Sequence, residues 1–525
     1  MMFFTSDDGY SAFLRTFIDP RRERLIADMR PSRKRVKEFV ESLPPGREVA
    51  ALNLNGGGRI PITDTLLTRH VYIQGSIGSG KTTLIRALLR GLLPSARASG
   101  GDKVVIFDPK GDYLRLVREM GLPHIVVSED VSLNPVRWNI FREILAGATV
   151  KLKRENTVLQ LLGKVKQVTP YESFITDNKE VYQRLRKLAS SIVHTRANMV
   201  ESSKGDPYFS HNAPTSVLQG VLACAIIDAA TIERGGQGFL KEWGVRGTGD
   251  LDNSILLRLS LLPSRRLHFF LSAYGANEAA EHVAPSAPAQ SQGVLSSFRM
   301  YISDIFTLAF AERGGWSIAE GLHKPEFKAI LLEYRLDNEK VAIPVFSAIL
   351  SNMMDEVLST RLRGRNLYVI LDELHALPKI ESFHTFLNMA RDLGGKVIAA
   401  TQSVAQLYDK YGEQEAKAII SAFNTRVFLR TTDDASLKLV NDTVGELLVR
   451  KIHRTVGKEG KSESHEVDRR TLTARTMSVL KPGSGILWTT GAHPIYTSFH
   501  PRGNHAETPS GAGFPLGHHG VLGFQ

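Results

Sequence analysis

The run Gly75-Ser76-Ile77-Gly78-Ser79-Gly80-Lys81-Thr82, followed by Thr83, fits the pattern Gly-x-x-x-x-Gly-Lys-Ser/Thr. Such a loop binds phosphate. Gly75, Gly78 and Gly80 let backbone N–H groups turn inward, and a helix starting at Lys81 aims its positive dipole end at the anion. Lys81 would bridge the β- and γ-phosphates, and the Thr82 hydroxyl would ligate Mg²⁺, so the cofactors implied are ATP and Mg²⁺. A second set of charges is needed, and Asn366 to Pro378 supplies one: an apolar strand ending in Asp372-Glu373. Asp372 at the strand tip would hold Mg²⁺, and Glu373 would polarise the attacking water. A later strand ends in Ala399-Ala400-Thr401-Gln402. Gln402 either reads the γ-phosphate or caps the strand end. Arg391, between the acidic pair and Gln402, is either a surface ion-pairing residue or an arginine finger acting on a neighbouring copy. His375 reads as a rim residue.

These residues require strands to carry them. Short apolar runs recur at 71–73, 104–107, 367–371, 396–400 and 426–430, separated by helical patterns. Strands alternating with helices predict an α/β fold with a central, mostly parallel sheet. From about 140 to 325 the pattern turns mostly helical, as an inserted all-α domain would. The expected division is a basic helical segment over 1–60 and a nucleotide-binding domain in two parts, 61–204 and 301–500. An all-α insertion fills 205–300, and a disordered Gly/His/Pro-rich tail covers 501–525. The charged segment around 455–466 reads as a mobile loop able to cover the nucleotide.

The chain has 525 residues, enough for roughly two to four domains. Its 42% hydrophobic content is that of a globular protein, and its net charge of +12 suits an acidic partner such as nucleic acid. One cysteine, Cys224, excludes an intrachain disulfide framework and fits a reducing compartment. The most apolar windows, 214–229 and 341–354, are short or interrupted by Gln219, Asp228 and Pro344, so no membrane span is expected.

Six segments together resemble the type IV secretion coupling proteins, the TraD-type DNA-transfer ATPases of conjugation. They are Thr68-Arg69-His70 before the phosphate loop, VVIFDPKGDY (104–113), LNPVRWNIF (133–141), LDELHALPKI (371–380), ATQSVAQLYDKYG (400–412) and FNTRVFLRT (423–431). The resemblance covers about 60–500 and implies a RecA-like P-loop NTPase assembled as a hexameric ring. It further implies ATP-driven movement of relaxase-bound single-stranded DNA, without sequence preference, to a secretion channel. In its terms Lys81 and Thr82 are phosphate-loop ligands, Asp372 and Glu373 the acidic pair, Gln402 the sensor and Arg391 the finger. Family members usually begin with transmembrane helices. None is expected here: this is a soluble member, or the anchor belongs to another chain, or the start is truncated, and the location expected is cytoplasmic, at the inner membrane through partners. The segment 145–180, with Lys151, Lys153, Arg154, Lys164 and Lys166, resembles a variable insertion that contacts DNA or stays solvated. Three other readings stand beside this one: recruitment of protein effectors, a non-conjugative DNA translocase of the same core, and an adaptor that binds ATP without turnover.

Overall fold

A computed structural model describes residues 6–499 apart from 20–22, 26–28, 31, 55–57, 99–100, 153–167, 201–205, 360–363, 378, 381–382 and 458–459. Lys153, Arg154, Lys164 and Lys166 of the basic insertion, and the tail 501–525, lie outside the described residues. The strands are β1 (Glu23–Leu25), β2 (Glu48–Asn53), β3 (Arg59–Thr63), β4 (Val71–Gln74), β5 (Lys103–Asp108), β6 (His124–Val127) and β7 (Ala329–Glu333). They continue with β8 (Leu367–Leu371), β9 (Gly395–Thr401), β10 (Thr425–Phe428), β11 (Leu447–Gly457), β12 (Gly460–Arg470), β13 (Ser484–Thr489) and β14 (Ile495–Ser498).

Nine strands form the central sheet in the order β14-β13-β10-β4-β9-β8-β5-β7-β6. The run from β10 to β6 is parallel throughout, and β13 and β14 close one edge antiparallel. The parallel strands are short and apolar because both faces are covered. Their alternation divides the core in two. Tyr72, Val105, Phe107, Val369 and Leu371 point into one cluster, and Val71, Ile73, Val104, Ile106, Tyr368 and Ile370 into the other.

Between β6 and β7 the chain crosses from one edge strand to its neighbour through a helical excursion running from Ile140–Leu145 to Ile318–His323. The insertion expected at 205–300 lies within it. The helix Ala213–Glu233 is apolar nearly all round, and it is buried from Ala213 to Ile232 with few gaps, as a helix packed by others on every side must be. It belongs to one of two helical stretches among the described residues, Tyr208–Glu233 and Leu336–Ser359, that are long and apolar enough to cross a membrane. Their most apolar windows are 83% and 78% buried inside the protein, which core packing explains.

Glu143 ties the excursion to the sheet's helical layer. The Trp138 indole N–H donates to it at 2.9 Å and the Ile318 backbone N–H at 2.8 Å, and the Asn352 side chain also donates. Burial pushes its carboxyl up to about 7. Glu143→Ala strands three donors, and a loss of about 3 kcal/mol is expected in denaturant titration.

Residues 1–60 contain the helices Ser6–Phe17 and Arg33–Ser42, together with β1, β2 and the start of β3. Residues 447–470 are not the loop expected at 455–466. They form the long antiparallel hairpin β11–β12, onto which β1 pairs. Charge alternation hid it: Lys451 lies 3.3 Å from Asp468 across the strands, and His453 lies 3.4 Å from Glu466. Cross-strand pairs of opposite sign stabilise a ribbon that buries little.

Candidate nucleotide site

Every strand from β10 to β6 points its C-terminal end the same way, and open parallel sheets bind ligands at that edge. The loop 75–80 follows β4 there. Gly78 and Gly80 take φ of +70° and +102°, in the left-handed region that favours glycine. A Cβ at Gly80 would also lie 2.6 Å from the Gly483 backbone nitrogen. Gly75 is needed for space, since a Cβ there would lie 2.6 Å from Ser79 Oγ. The Gly483 N–H donates to the Ser79 carbonyl at 2.8 Å, and the Ser76 N–H donates to Arg430 at 2.8 Å, so the loop is clamped from both sides. Ile77 at its tip is exposed, as is Thr83 on the helix that follows.

That helix, Lys81–Ala98, begins inside the cradle. The Lys81 ammonium donates to the carbonyls of Gly75 at 2.6 Å and Ser76 at 3.3 Å. Burial lowers its pKa, and the nearby Glu373 and Asp372 carboxylates oppose that shift.

Two strands away, β8 ends at Leu371 and delivers the acidic pair. Asp372 Oδ2 accepts from the Thr82 hydroxyl at 3.2 Å and from the Tyr113 hydroxyl at 2.6 Å. Burial raises its pKa, with Glu373 adding to the effect. Its other oxygen, Oδ1, is buried and has no hydrogen-bond partner. An oxygen-only set with one unspent carboxylate oxygen fits Mg²⁺. Among the described residues no group of three or more His, Cys, Asp or Glu could hold a metal.

Glu373 sits at the centre of a converging set. The Gln402 amide, at the tip of the intervening β9, donates to its two oxygens at 3.0 and 3.3 Å. Lys110 pairs with it, and His375 Nδ1 lies 3.2 Å away. Burial would raise the Glu373 pKa, but Lys110, Gln402 and His375 outweigh it and hold the carboxyl below its ordinary value. Burial lowers the His375 pKa, so its ring sits beside Glu373 as a partner at the rim. The helix after Gln402, Val404–Tyr411, is capped by the Ser403 side chain. It returns Lys410 to the carbonyls of His375 and Leu377.

Arg391 lies elsewhere. It is exposed, in the turn before β9, and lines a groove with Arg365, Asn366 and Lys396 where β8 and β9 begin. That is the opposite end of the sheet from this chain's own phosphate loop. Arg426, within β10, is held by Thr443 at 2.7 Å and stacks on Trp488, while Arg430, just beyond it, donates to the Ile77 carbonyl at 3.2 Å. Lys110 and Tyr113 were not legible as site residues, since their local sequence is a polar turn and only the strand order puts β5 beside β8.

Residues 245–481 match the domain described as the type IV secretion-system coupling protein DNA-binding domain, and 59–209 match the central domain of helicase HerA. Among curated proteins, the coupling protein TraD of Escherichia coli is 34% identical over 84 residues, 16% of this chain and 12% of that protein. The DNA translocase FtsK of Pseudomonas putida is 24% identical over 172 residues, 32% of this chain and 18% of that one. The chain thus spans less than a fifth of either relative's length. Among solved structures, the bacterial conjugative coupling protein TrwBdeltaN70 superposes with a TM-score of 0.61 at 18% identity, covering 92% of this chain and 93% of that one. Plasmid coupling protein TrwB in complex with ADP and Mg²⁺ gives 0.59 at 18%, covering 90% and 93%. At that identity the likeness concerns the fold, a P-loop α/β fold with a central parallel sheet. Sequence and fold agree in likening the chain to the type IV secretion-system coupling proteins.

Proposed function

We propose that the chain is the ATP-driven coupling protein of a conjugative type IV secretion system, binding relaxase-bound single-stranded DNA and moving it to the secretion channel. The observation that carries this reading is the meeting of Lys81 and Thr82, Asp372 and Glu373, and Gln402 at three neighbouring strand tips. Thr82 and Asp372 would hold Mg²⁺, which supplies charge neutralisation at the phosphates. Lys81 and the N–H groups of residues 75–82 bind and orient the phosphate chain. Glu373 takes the proton of the attacking water, and Gln402, bonded to that carboxylate, senses whether the γ-phosphate is in place. Arg391 completes the site of an adjoining copy in a hexameric ring. The relaxase and channel components would be partners at the cytoplasmic face of the inner membrane. DNA contact is to phosphate, which the +12 net charge favours and which a motor tolerant of any sequence requires.

The test is the steady-state ATPase rate with and without single-stranded DNA, beside Lys81→Ala. Stimulation of several-fold, absent in the control, is expected. Turnover indifferent to DNA favours effector recruitment, and binding without turnover favours the adaptor. The match to FtsK supports a second reading, a translocase outside conjugation. Stimulation by duplex DNA in preference to single strands would favour it.

A further inference from the structure

The loop Asp108-Pro109-Lys110-Gly111-Asp112-Tyr113 has no part in the chemistry above, yet it reaches both carboxylates that do. Its frame is fixed at each end. The Asp108 carboxylate accepts from the backbone N–H of Asp112 at 2.9 Å and of Tyr113 at 2.8 Å, closing the turn. Gly111 takes φ of +69°, and a Cβ there would lie 3.0 Å from Glu333 Oε1. The Asp112 carboxylate pairs with Arg86 of the phosphate-loop helix at 2.8 Å, and Arg86 also donates to the Asp112 carbonyl at 2.9 Å. The turn is therefore strapped to β5 and to the helix carrying Lys81.

Two side chains project from this frame. Tyr113 is fully buried, and its hydroxyl donates to Asp372 Oδ2 at 2.6 Å, shorter than the 3.2 Å from Thr82 to the same oxygen. That bond fixes the carboxylate plane and leaves Oδ1 as the oxygen without a protein partner. Lys110 is half exposed, and its ammonium meets Glu373, a side chain only 6% exposed. It pairs with Oε1, the same oxygen that Gln402 approaches more closely. A surface ion pair contributes little by itself, but here one partner is buried and is the residue assigned to the water.

We propose that the 108–113 turn is a third element of the nucleotide site, in which Tyr113 positions Asp372 and Lys110 positions Glu373. This rests on the hydrolytic reading above. Both are positioning residues, since each acts through a carboxylate, and they act on separable quantities. Tyr113 governs metal-dependent binding, and Lys110 governs turnover.

The experiment compares Lys110→Ala, Lys110→Arg and Tyr113→Phe with wild type and Lys81→Ala, all in the full chain. Binding of a fluorescent ADP analogue is followed against Mg²⁺ concentration. Tyr113→Phe is expected to raise the half-saturating Mg²⁺ about tenfold. Lys110→Ala leaves that concentration and the KM for ATP within about twofold and lowers kcat about 10- to 100-fold, and Lys110→Arg recovers part of it. A readout independent of turnover is reductive methylation of the Lys110 amine, located by mass spectrometry. It should run faster in Glu373→Gln than in wild type. An unchanged or raised kcat in Lys110→Ala, an unchanged Mg²⁺ dependence in Tyr113→Phe, or losses that track unfolding in thermal melts would overturn the proposal. If wild type and Lys81→Ala fail alike to hydrolyse ATP, the hydrolytic reading falls, and the Lys110 assignment falls with it. The binding and methylation arms then report on the turn alone.

Discussion

Lys81→Ala abolishes ATP hydrolysis while leaving the fold intact. The ammonium lies inside the cradle, fixed by two loop carbonyls. Removing a preorganised charge aimed at the phosphates costs transition-state stabilisation that water cannot replace, so kcat should fall at least about 10³-fold. Nucleotide affinity falls as well, by about tenfold or more, since the same charge meets the ground-state phosphates. Stability changes little. The two carbonyls lose one donor, a cost of about 1 kcal/mol. Radiolabelled phosphate release, equilibrium nucleotide binding and a denaturant titration measure the three quantities separately.

Glu373→Gln separates binding from turnover. The replacement keeps the shape of the side chain and an oxygen for the Gln402 amide, but it cannot take a proton. Loss of a general base should lower kcat about 10²- to 10⁴-fold with nucleotide affinity close to wild type. Rapid-quench measurement of bound nucleotide should then find ATP where the wild type holds ADP. A loss of affinity equal to the loss of kcat would instead mean that Glu373 holds the nucleotide and does not act on water.

The parts of this site that were legible in the sequence are those whose chemistry is local. A phosphate loop is one contiguous turn, and its glycines announce the backbone it needs. Asp372-Glu373 and Gln402 stand out because each ends an apolar run too short and too buried to be anything but an inner strand. Lys110 and Tyr113 were hidden because what they touch lies about 260 residues away. Their role depends on β5 lying next to β8, which no periodicity states. The helical excursion was visible as a change of pattern from about 140 to 325, and the structure runs it from Ile140–Leu145 to Ile318–His323, because the loss of strand periodicity is itself a local signal. The hairpin β11–β12 was misread for the opposite reason. Its strands are charged, and the pairs that order them, such as Lys451 with Asp468, face each other across the hairpin, so neither strand alone shows an apolar run.

One consequence concerns the helix Val404–Tyr411. At its start stands Gln402, joined to Glu373, and near its end Lys410 grips the carbonyls just beyond Glu373. Helix and acidic segment form a closed mechanical loop with two fasteners. A pull on either fastener cannot tilt the helix alone; it must drag the segment 373–377 as well. A displacement of Gln402 by a fraction of an ångström would thereby be delivered to Lys410, about two helical turns away at 5.4 Å per turn, without relying on flexible chain in between.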